Sequence, residues 1–204
     1  MNKGIILFLE GETEKAFYDR VIDQMRQYCG TFDCYVIIKN IQGVGNYKNK
    51  VKRIFQNDIL RKNKGVSFTV FFCHDTDVFE MGDHPPVEWK TVEQELRRMG
   101  VRNIFHIAAE SCIEDWFLSD TAGILRFLRL PQGTTVLGTG ADAIQRLFKK
   151  RSRVYIKGGK TEGLIDALDI QKIMDCHCDQ LNTLCRELNI ICEKHHHKCC
   201  QGNQ

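Results

Sequence analysis

Short apolar runs that alternate with segments of helical spacing constrain the fold of this chain more than any other feature. The runs lie at residues 4–9, 34–41, 66–73 and 101–108. Runs of this length and composition are typical of strands that are buried on both faces, as in a parallel sheet. Residues 13–26, between the first two runs, carry apolar side chains at helical spacing. Strands in alternation with helices predict an α/β fold with a parallel sheet.

Further helical segments follow the later strands. Helices are expected at residues 46–60, 91–99, 113–118, 121–128 and 142–149. Residues 154–157 are expected to be extended, and residues 163–168 to form a short turn or helix. The apolar positions of residues 170–192 keep a helical repeat, which predicts one long closing helix.

Length and composition are those of an ordinary globular protein. The chain has 204 residues, of which 43% are hydrophobic and 27% charged, so it is long enough to bury a core in one domain with a helical extension. No run approaches the ~20 apolar residues that cross a membrane, and residues 5–9 are too short for a signal peptide. The ten cysteines are unevenly placed, unlike those of a secreted disulfide-rich domain. We therefore expect a cytoplasmic protein with mostly free thiols.

Acidic residues follow the predicted strands at the points where the strands end. Glu10 follows the first run, and Asp75 and Asp77 follow the third. Glu110 comes two residues after the fourth run. Because active sites of parallel sheets collect at the carboxyl ends of the strands, we expect these carboxylates to lie at one edge of the sheet.

Two more glutamates enlarge this acidic set. Glu14 lies four residues after Glu10, and Glu114 lies four residues after Glu110. Carboxylates that are gathered in a low dielectric repel each other unless a cation neutralises them. Hard oxygen ligands at this density suit Mg²⁺ or Mn²⁺, and such an ion can activate water and stabilise charge on a phosphate. The set therefore predicts a divalent-metal site.

Each carboxylate alone also has a simpler structural interpretation. Glu14 and Glu114 stand near helix starts, where acidic side chains stabilise the helix macrodipole. Asp75 and Asp77 are common turn residues. The coincidence of Glu10, Asp75 and Asp77 at strand ends is what favours a metal site over these alternatives.

Three short segments carry motifs: LEGETEK at residues 9–15, HDTD at residues 74–77 and SCIEDWFL at residues 111–118. The first resembles the EGxTE signature of Toprim domains, nearest their old-like and RloB-like branches. The second resembles the Toprim DxD motif, and the third resembles the segment that follows it in RloB-like proteins. The resemblance covers roughly residues 4–125, in the expected order.

This resemblance implies a Toprim-like, Rossmann-like parallel sheet flanked by helices, a divalent metal, and cleavage or rejoining of nucleic-acid backbones. Many relatives in these branches are nucleases linked to defence against phage. Carried over, Glu10 is a metal ligand or general acid–base, Asp75 and Asp77 are metal ligands, and Glu14 and Glu114 match the remaining acids. No tyrosine is recognisable as the nucleophile of a topoisomerase, which disfavours strand passage.

Basic residues cluster in two places that a phosphate backbone could follow. The first cluster comprises Lys48, Lys50, Lys52, Arg53, Arg61, Lys62 and Lys64. The second comprises Lys149, Lys150, Arg151, Arg153 and Lys157, with Lys160 nearby. A solvated helix face explains the first cluster equally well. YIKG at residues 155–158 resembles a late segment of the old-like relatives, which implies that Lys157 approaches the site and stabilises transition-state charge.

Cysteine and histidine are concentrated near the end of the chain. Cysteines recur every seven residues from Cys178 to Cys199, together with leucines on the same side of a helix. This pattern first indicates a stripe that faces the core, since free cysteine behaves as a small hydrophobe. A structural zinc site is the alternative, although the spacing matches no zinc-finger pattern. Residues 195–204 are expected to be a flexible tail.

These observations lead to one functional hypothesis and one alternative. We expect a Toprim-like catalytic domain at residues 1–130, an α-helical C-terminal extension packed on it at residues 131–194, and the tail at 195–204. The hypothesis is a nuclease that depends on Mg²⁺ or Mn²⁺, with Glu10, Asp75, Asp77 and Lys157 as catalytic residues. The alternative is a non-catalytic module that binds nucleic acid or a partner ATPase. The net charge of +3 permits a nucleic-acid partner without requiring one, and the oligomeric state is left open.

Overall fold

A computed structural model describes residues 2–77, 87–157 and 163–190. Within these residues the sheet has four parallel strands in the order β2-β1-β3-β4. They are β1 (Lys3–Leu9), β2 (Cys34–Asn40), β3 (Ser67–Asp75) and β4 (Asn103–Ala109). The predicted α/β fold with a parallel sheet is confirmed, and its strand ends differ from the predicted ones by one or two residues.

The two central strands are the most apolar and the most buried. Residues 5–9 of β1 are fully buried, as are residues 70–72 of β3. In the outer strand β2, by contrast, Tyr35 is exposed and the other residues are only partly buried. β1 and β3 approach closely at Gly4, where a Cβ atom would overlap the ring of Phe68. Only glycine therefore fits at that position without a shift of the neighbouring strand.

Helices cover both faces of the sheet. One face packs on α1 (Glu12–Cys29), α4 (Ile113–Leu118), α5 (Thr121–Phe127), α6 (Gly140–Lys149), α7 (Leu164–Ala167), α8 (Ile170–Cys176) and α9 (Cys178–Glu187). The other face packs on α3 (Trp89–Arg98) and on a helical segment at residues 44–60. The core is therefore two apolar clusters separated by the sheet. The larger one draws residues from Ile5 to Leu188, so both ends of the described chain contribute to it.

The helical segment at residues 44–60 is wound unevenly. It begins with a 3₁₀ turn (Val44–Asn46), and a short α-helical turn, α2 (Lys52–Ile54), separates two π-helical turns (Tyr47–Val51 and Phe55–Leu60). Tyr47, Val51, Phe55 and Ile59 recur every four residues, and all four are buried against the sheet. The apolar spacing predicted this helix, whereas its π-helical turns leave no signal in the spacing.

The long closing helix predicted at residues 170–192 is interrupted. α8 ends at Cys176 and α9 begins at Cys178, with His177 between them at φ −116° and ψ 30°. The imidazole of His177 stacks on Trp116 with ring centroids 4.6 Å apart, and a nitrogen lies 2.9 Å from the Ser119 hydroxyl. The prediction of one continuous helix was therefore wrong, because contacts with α4 and its C-terminal end hold His177 out of helical geometry.

α9 closes the sheet at the opposite edge from the acidic residues. The ammonium of Lys3, at the start of β1, donates to the backbone carbonyl of Glu187 at 2.6 Å. It also lies 2.9 Å from the Glu187 carboxylate, which accepts a hydrogen bond from Thr69 of β3. The last described helix thus fixes the amino ends of both central strands.

Three further predictions concern residues 154–157, the domain boundary and the end of the chain. Residues 154–157, predicted to be extended, belong to no described helix or strand and cross the carboxyl edge of the sheet. The division at residues 130 and 131 remains a prediction. The expected tail at residues 195–204 lies outside the described residues.

Candidate functional site

The acidic residues stand where the strand order reverses. The chain runs outward from β1 to β2 on one side, and from β3 to β4 on the other. Loops after β1 and β3 therefore leave in opposite directions and open a crevice, which is where parallel sheets bind ligands. Glu10 directly follows β1, and Asp75 is the last residue of β3.

The crevice is a cleft of about 380 Å³. Most of its lining residues have polar or charged side chains; the lining comprises Glu10, Gly11, Glu12, Thr13, Glu14, Asn40, Gln42, Gly43, Asp75, Ile113, Glu114 and Lys157. Four of the five predicted metal ligands therefore share one cleft, and the fifth, Asp77, is joined to it through Lys157. Glu110 is exposed and is not among the lining residues, so its place after a strand end was a misleading signal.

Asp75 is the most firmly held of these carboxylates. Its side chain is 4% exposed. One oxygen accepts the backbone N–H of Ile113, the first residue of α4, at 2.8 Å, and the other lies 3.0 Å from the Lys157 ammonium. Burial raises the pKa of Asp75 to about 6, although the charge of Lys157 opposes the rise. At neutral pH Asp75 is therefore mainly an anion fixed by α4 and by Lys157.

Lys157 bridges the two aspartates of the HDTD segment. Its ammonium lies 3.0 Å from an oxygen of Asp75 and 2.7 Å from an oxygen of Asp77. Burial alone would lower the pKa of Lys157, but hydrogen bonds and charges from Asp77 and Asp75 outweigh it and raise this pKa. The side chain remains 41% exposed, so the ammonium sits at the mouth of the cleft.

Residues 153–157, here called the strap, carry Lys157 to the site. The Arg153 guanidinium lies over the ring of Phe127, 4.6 Å from its centroid. Tyr155 is 3% exposed and donates its hydroxyl to a Glu114 oxygen at 2.7 Å. Val154 and Ile156, by contrast, are 74% and 67% exposed. Along the strap, Arg153, Tyr155 and Lys157 therefore contact the rest of the protein, whereas Val154 and Ile156 between them face solvent.

Glu114 is fully buried in α4 yet only half satisfied. One carboxylate oxygen accepts the Tyr155 hydroxyl, and the other is buried with no hydrogen-bond partner. A buried polar atom that lacks a partner destabilises the fold unless a ligand satisfies it. One oxygen of Glu10 and one of Asp77 share this condition. Three carboxylate oxygens at the site are thus available to a ligand.

Glu10 and Glu14 are protonated more readily than glutamates in water. Burial raises the pKa of Glu10 to about 8, and the charge of Asp75 adds to the rise. Burial also raises the pKa of Glu14 to about 8, again with the charge of Asp75 contributing. Glu14 in addition accepts the backbone N–H of Gly11 and so caps α1. Glu14 thus has a structural role at the start of α1 through a hydrogen bond, and this role coexists with its place in the cleft.

A pair of hydrogen-bonded loops, here called the clasp, fixes the HDTD segment, and no sequence pattern predicted it. The backbone N–H groups of Thr76 and Asp77 donate to the Ser111 carbonyl at 3.1 and 2.9 Å. The Ser111 N–H donates in return to the Thr76 hydroxyl at 2.8 Å. Ser111 adopts φ 62°, a left-handed conformation that is uncommon outside glycine. No local pattern marks such a serine, because its geometry depends on a partner loop 35 residues away.

The donor set fits a divalent cation in its chemistry. Carboxylate oxygens are the ligands that Mg²⁺ and Mn²⁺ prefer, and three of them here lack a partner. The ammonium of Lys157 lies between Asp75 and Asp77 and neutralises part of their charge. In the arrangement described, however, no group of three or more Asp, Glu, His or Cys side chains is placed to hold an ion.

The basic clusters differ in their relation to the cleft. In the first, Lys50 donates to Gln42 at the cleft rim and Lys52 pairs with Glu95 of α3. The second runs from the end of α6 directly into the strap, and its members Lys149, Lys150, Arg151 and Arg153 are exposed. The second cluster is therefore continuous in the chain with the lysine that reaches the acids.

The cysteine stripe faces the core mainly through its leucines. Leu181, Leu184 and Leu188 are buried, whereas Cys178 and Cys185 are partly buried. Cys176 is exposed, and His177 is engaged with Trp116. The other residues that could contribute to a zinc site, His195, His196, His197, Cys199 and Cys200, lie outside the described residues. Within the described part of the chain, no helix is both long and apolar enough to span a membrane.

Comparisons with protein-family models, with curated proteins and with solved structures found no match for this chain.

Proposed function

We propose that this chain is a nuclease that requires Mg²⁺ or Mn²⁺ and hydrolyses phosphodiester bonds of nucleic acid. The observation that carries the proposal is the meeting of carboxylates from two central strand ends with those of α1 and α4, at the reversal of strand order. Three oxygens of this set have no partner. Glu10, Asp75 and Asp77 would hold the ion, with Glu14 and Glu114 as further ligands.

The residues of the cleft divide the chemistry between them. A bound divalent ion would supply charge stabilisation on the phosphate and a lowered pKa for water. In the metal-free protein Glu10, whose pKa is about 8, holds a proton at neutral pH, and it would release that proton on coordinating the ion. Lys157 places a positive charge at the mouth of the cleft, where an anionic substrate would enter.

The substrate class follows from charge. The exposed second cluster leads along the chain to the strap, which carries the Lys157 ammonium to the mouth of the cleft. Contacts to phosphates dominate the affinity for nucleic acid, and these cations would bring a backbone to the acids despite the charge of the acids themselves. A small phosphate ester would gain less from cations outside the cleft. The larger gain that a long phosphate backbone would have from these cations favours a polymeric substrate.

A cleavage assay tests the proposal directly. Purified protein is incubated with single- and double-stranded DNA and with RNA, in Mg²⁺, Mn²⁺ or EDTA. Cleavage is expected with a divalent ion and absent in EDTA. Glu10→Gln and Asp75→Asn should each reduce it by about 100-fold or more, as the loss of an acid–base group or ion ligand does. Glu110→Gln is the matched control, because Glu110 is exposed and does not line the cleft.

The alternative is a module that binds nucleic acid without cleaving it. One observation favours it: Lys157 already neutralises Asp75 and Asp77, and no group of side chains in the described residues is poised around an ion. Equal, salt-sensitive nucleic-acid binding by wild type and Glu10→Gln, with no cleavage under any condition, would reject the nuclease proposal. If cleavage instead requires an added partner ATPase, the variants should abolish it in that mixture as well.

A role in defence against phage extends the proposal. It rests on the resemblance of residues 9–15, 74–77 and 111–118 to Toprim motifs. Cells that express the wild-type chain should reduce phage plating, and cells that express Glu10→Gln at the same level should not. Equal plating on both would remove defence from the proposal and leave the biochemical activity to its own test.

A further inference from the structure

The ammonium of Lys157 stands where an ion shared by Asp75 and Asp77 would stand. It is 3.0 Å from one aspartate oxygen and 2.7 Å from the other. The second oxygen of Asp75 is already engaged by the Ile113 N–H at 2.8 Å. The oxygen of Asp75 that an ion would bind is therefore the one that Lys157 now contacts.

An ion and this ammonium exclude each other by distance and by charge. Mg²⁺ binds carboxylate oxygens at about 2.0–2.1 Å. An ion at that distance from the oxygens that Lys157 contacts would lie almost in contact with the Lys157 nitrogen, without solvent to screen the two positive charges. No such conflict arises at Glu114, which lines the same cleft and is fully buried. One of its carboxylate oxygens has no hydrogen-bond partner and could bind an ion without displacing a cation.

We propose that Lys157 is an internal counter-cation of the metal-free protein, which a divalent ion must expel from Asp75 and Asp77 in order to bind. The inference rests on the metal binding of the proposed function, and it adds a regulation of that site. Lys157 sets the threshold of ion concentration at which the site fills.

The lysine can leave while the rest of the strap stays in place. Tyr155 is buried and bonded to Glu114, so it anchors the strap two residues earlier. The Lys157 side chain is 41% exposed, and its flexible stem can turn the ammonium into solvent. Expulsion therefore needs rotations of one side chain and no opening of the core.

Mn²⁺ titration of variants tests the exchange. Lys157→Met removes the ammonium and keeps an apolar stem. If Lys157 leaves the aspartates free about one tenth of the time, its removal should tighten Mn²⁺ binding about tenfold in calorimetry. In EDTA the same variant should melt at a lower temperature than wild type, and saturating Mn²⁺ should reverse or close that gap.

Lys172→Met is the matched control. Lys172 pairs at 3.3 Å with Asp120, another buried aspartate, and is 48% exposed, but neither residue lines the cleft. This variant should lose stability in EDTA and leave the Mn²⁺ affinity unchanged. The comparison separates competition at the site from a general effect of breaking a lysine–aspartate pair.

A measurement on the wild-type chain does not depend on the variant folding. Lysine acetylation by an amine-reactive reagent, quantified by mass spectrometry, reports the exposure and charge of each ammonium. Lys157 should react several-fold faster in Mn²⁺ than in EDTA, because expulsion separates the amine from both aspartates and turns it into solvent. The rate at Lys172 should be unchanged.

The outcomes distinguish this inference from the proposed function. Tighter Mn²⁺ binding by Lys157→Met, or faster acetylation of Lys157 in Mn²⁺, supports the exchange. Mn²⁺ binding that is equal or weaker in the variant, with constant acetylation in the wild type, overturns it and leaves the metal site standing. No Mn²⁺ binding by either protein overturns both.

Discussion

Glu10 and Glu14 show how strongly position alters a side chain. Both stand on the first turn that follows β1, and burial raises both of their pKa values to about 8. In an unfolded chain each would titrate near 4.5. Between these two values the folded protein binds protons that the unfolded chain has released. Such groups oppose folding progressively as pH rises through that window.

The metal-free protein should therefore lose stability as pH rises from about 4.5 to 8. Between about pH 4 and 6.5 His74 acts in the opposite sense, because burial lowers its pKa to about 4, and it offsets only part of the loss from the two glutamates. Urea unfolding in EDTA at several pH values measures the slope. Glu14→Gln should flatten it, because glutamine keeps the cap on α1 without titrating. The exposed Glu110→Gln should keep the wild-type slope, and equal slopes in all three proteins would contradict the prediction.

Ser111 holds the HDTD segment through a left-handed backbone. At φ 62° a β-branched side chain is strained, whereas glycine is not. Ser111→Val should lower the free energy of unfolding by about 1–2 kcal/mol, and Ser111→Gly should be close to neutral. Denaturant unfolding compares them, with Thr135→Val, at an exposed position of ordinary φ, as the control. A valine variant as stable as the glycine variant would mean that the clasp is not strained.

Among the structural elements, the strap depends on one buried hydrogen bond. Tyr155→Phe removes the hydroxyl that Glu114 accepts and leaves the Glu114 carboxylate buried without that partner. We expect a loss of about 1–3 kcal/mol in the free energy of unfolding. The Lys157 contact should loosen as well, which would be seen as faster acetylation of Lys157 in EDTA.

Tyr35→Phe supplies the control for the strap. Tyr35 is 55% exposed on the edge strand β2, so its hydroxyl is open to water. The control should unfold like the wild type. If Tyr155→Phe also unfolded like the wild type, the hydroxyl would not be what anchors the strap.

Elements were predictable from sequence where a local pattern records their environment. Continuous apolar runs predicted the strands because the sheet is covered on both faces, and strand order then brought Glu10 and Asp75 together. The strap has no such local pattern of apolar residues. Tyr155 and Lys157 are held by Glu114 and by the two aspartates, all of which are distant in sequence. The break at His177 likewise depends on Trp116 and Ser119, which no periodicity of α8 and α9 reveals.

The whole molecule should unfold as one unit. The larger apolar cluster includes residues from Ile5 to Leu188, and the sheet separates it from the second cluster without a linker between them. The two tryptophans report on opposite faces: Trp116 is buried in the larger cluster, and Trp89 packs against the second. Coupling through shared strands predicts a single cooperative transition.

Single-tryptophan variants measure that coupling. In Trp89→Phe the fluorescence follows Trp116, and in Trp116→Phe it follows Trp89. Within each variant, the fluorescence midpoint in urea should coincide with the midpoint from circular dichroism. A tryptophan transition that departs from the circular dichroism transition would show that the two faces unfold separately.

The contacts between Lys3 and Glu187 can form only late in the synthesis of the chain. Their contacts join residues that are 184 positions apart, and Thr69 reaches the same glutamate. A ribosome that adds about 5–20 residues per second leaves β1 waiting roughly 10–40 s for α9. During that interval the apolar face of the nascent sheet is uncovered, and a chaperone has its opportunity to bind. Faster translation of the region before α9 should therefore raise the yield of correctly folded chain.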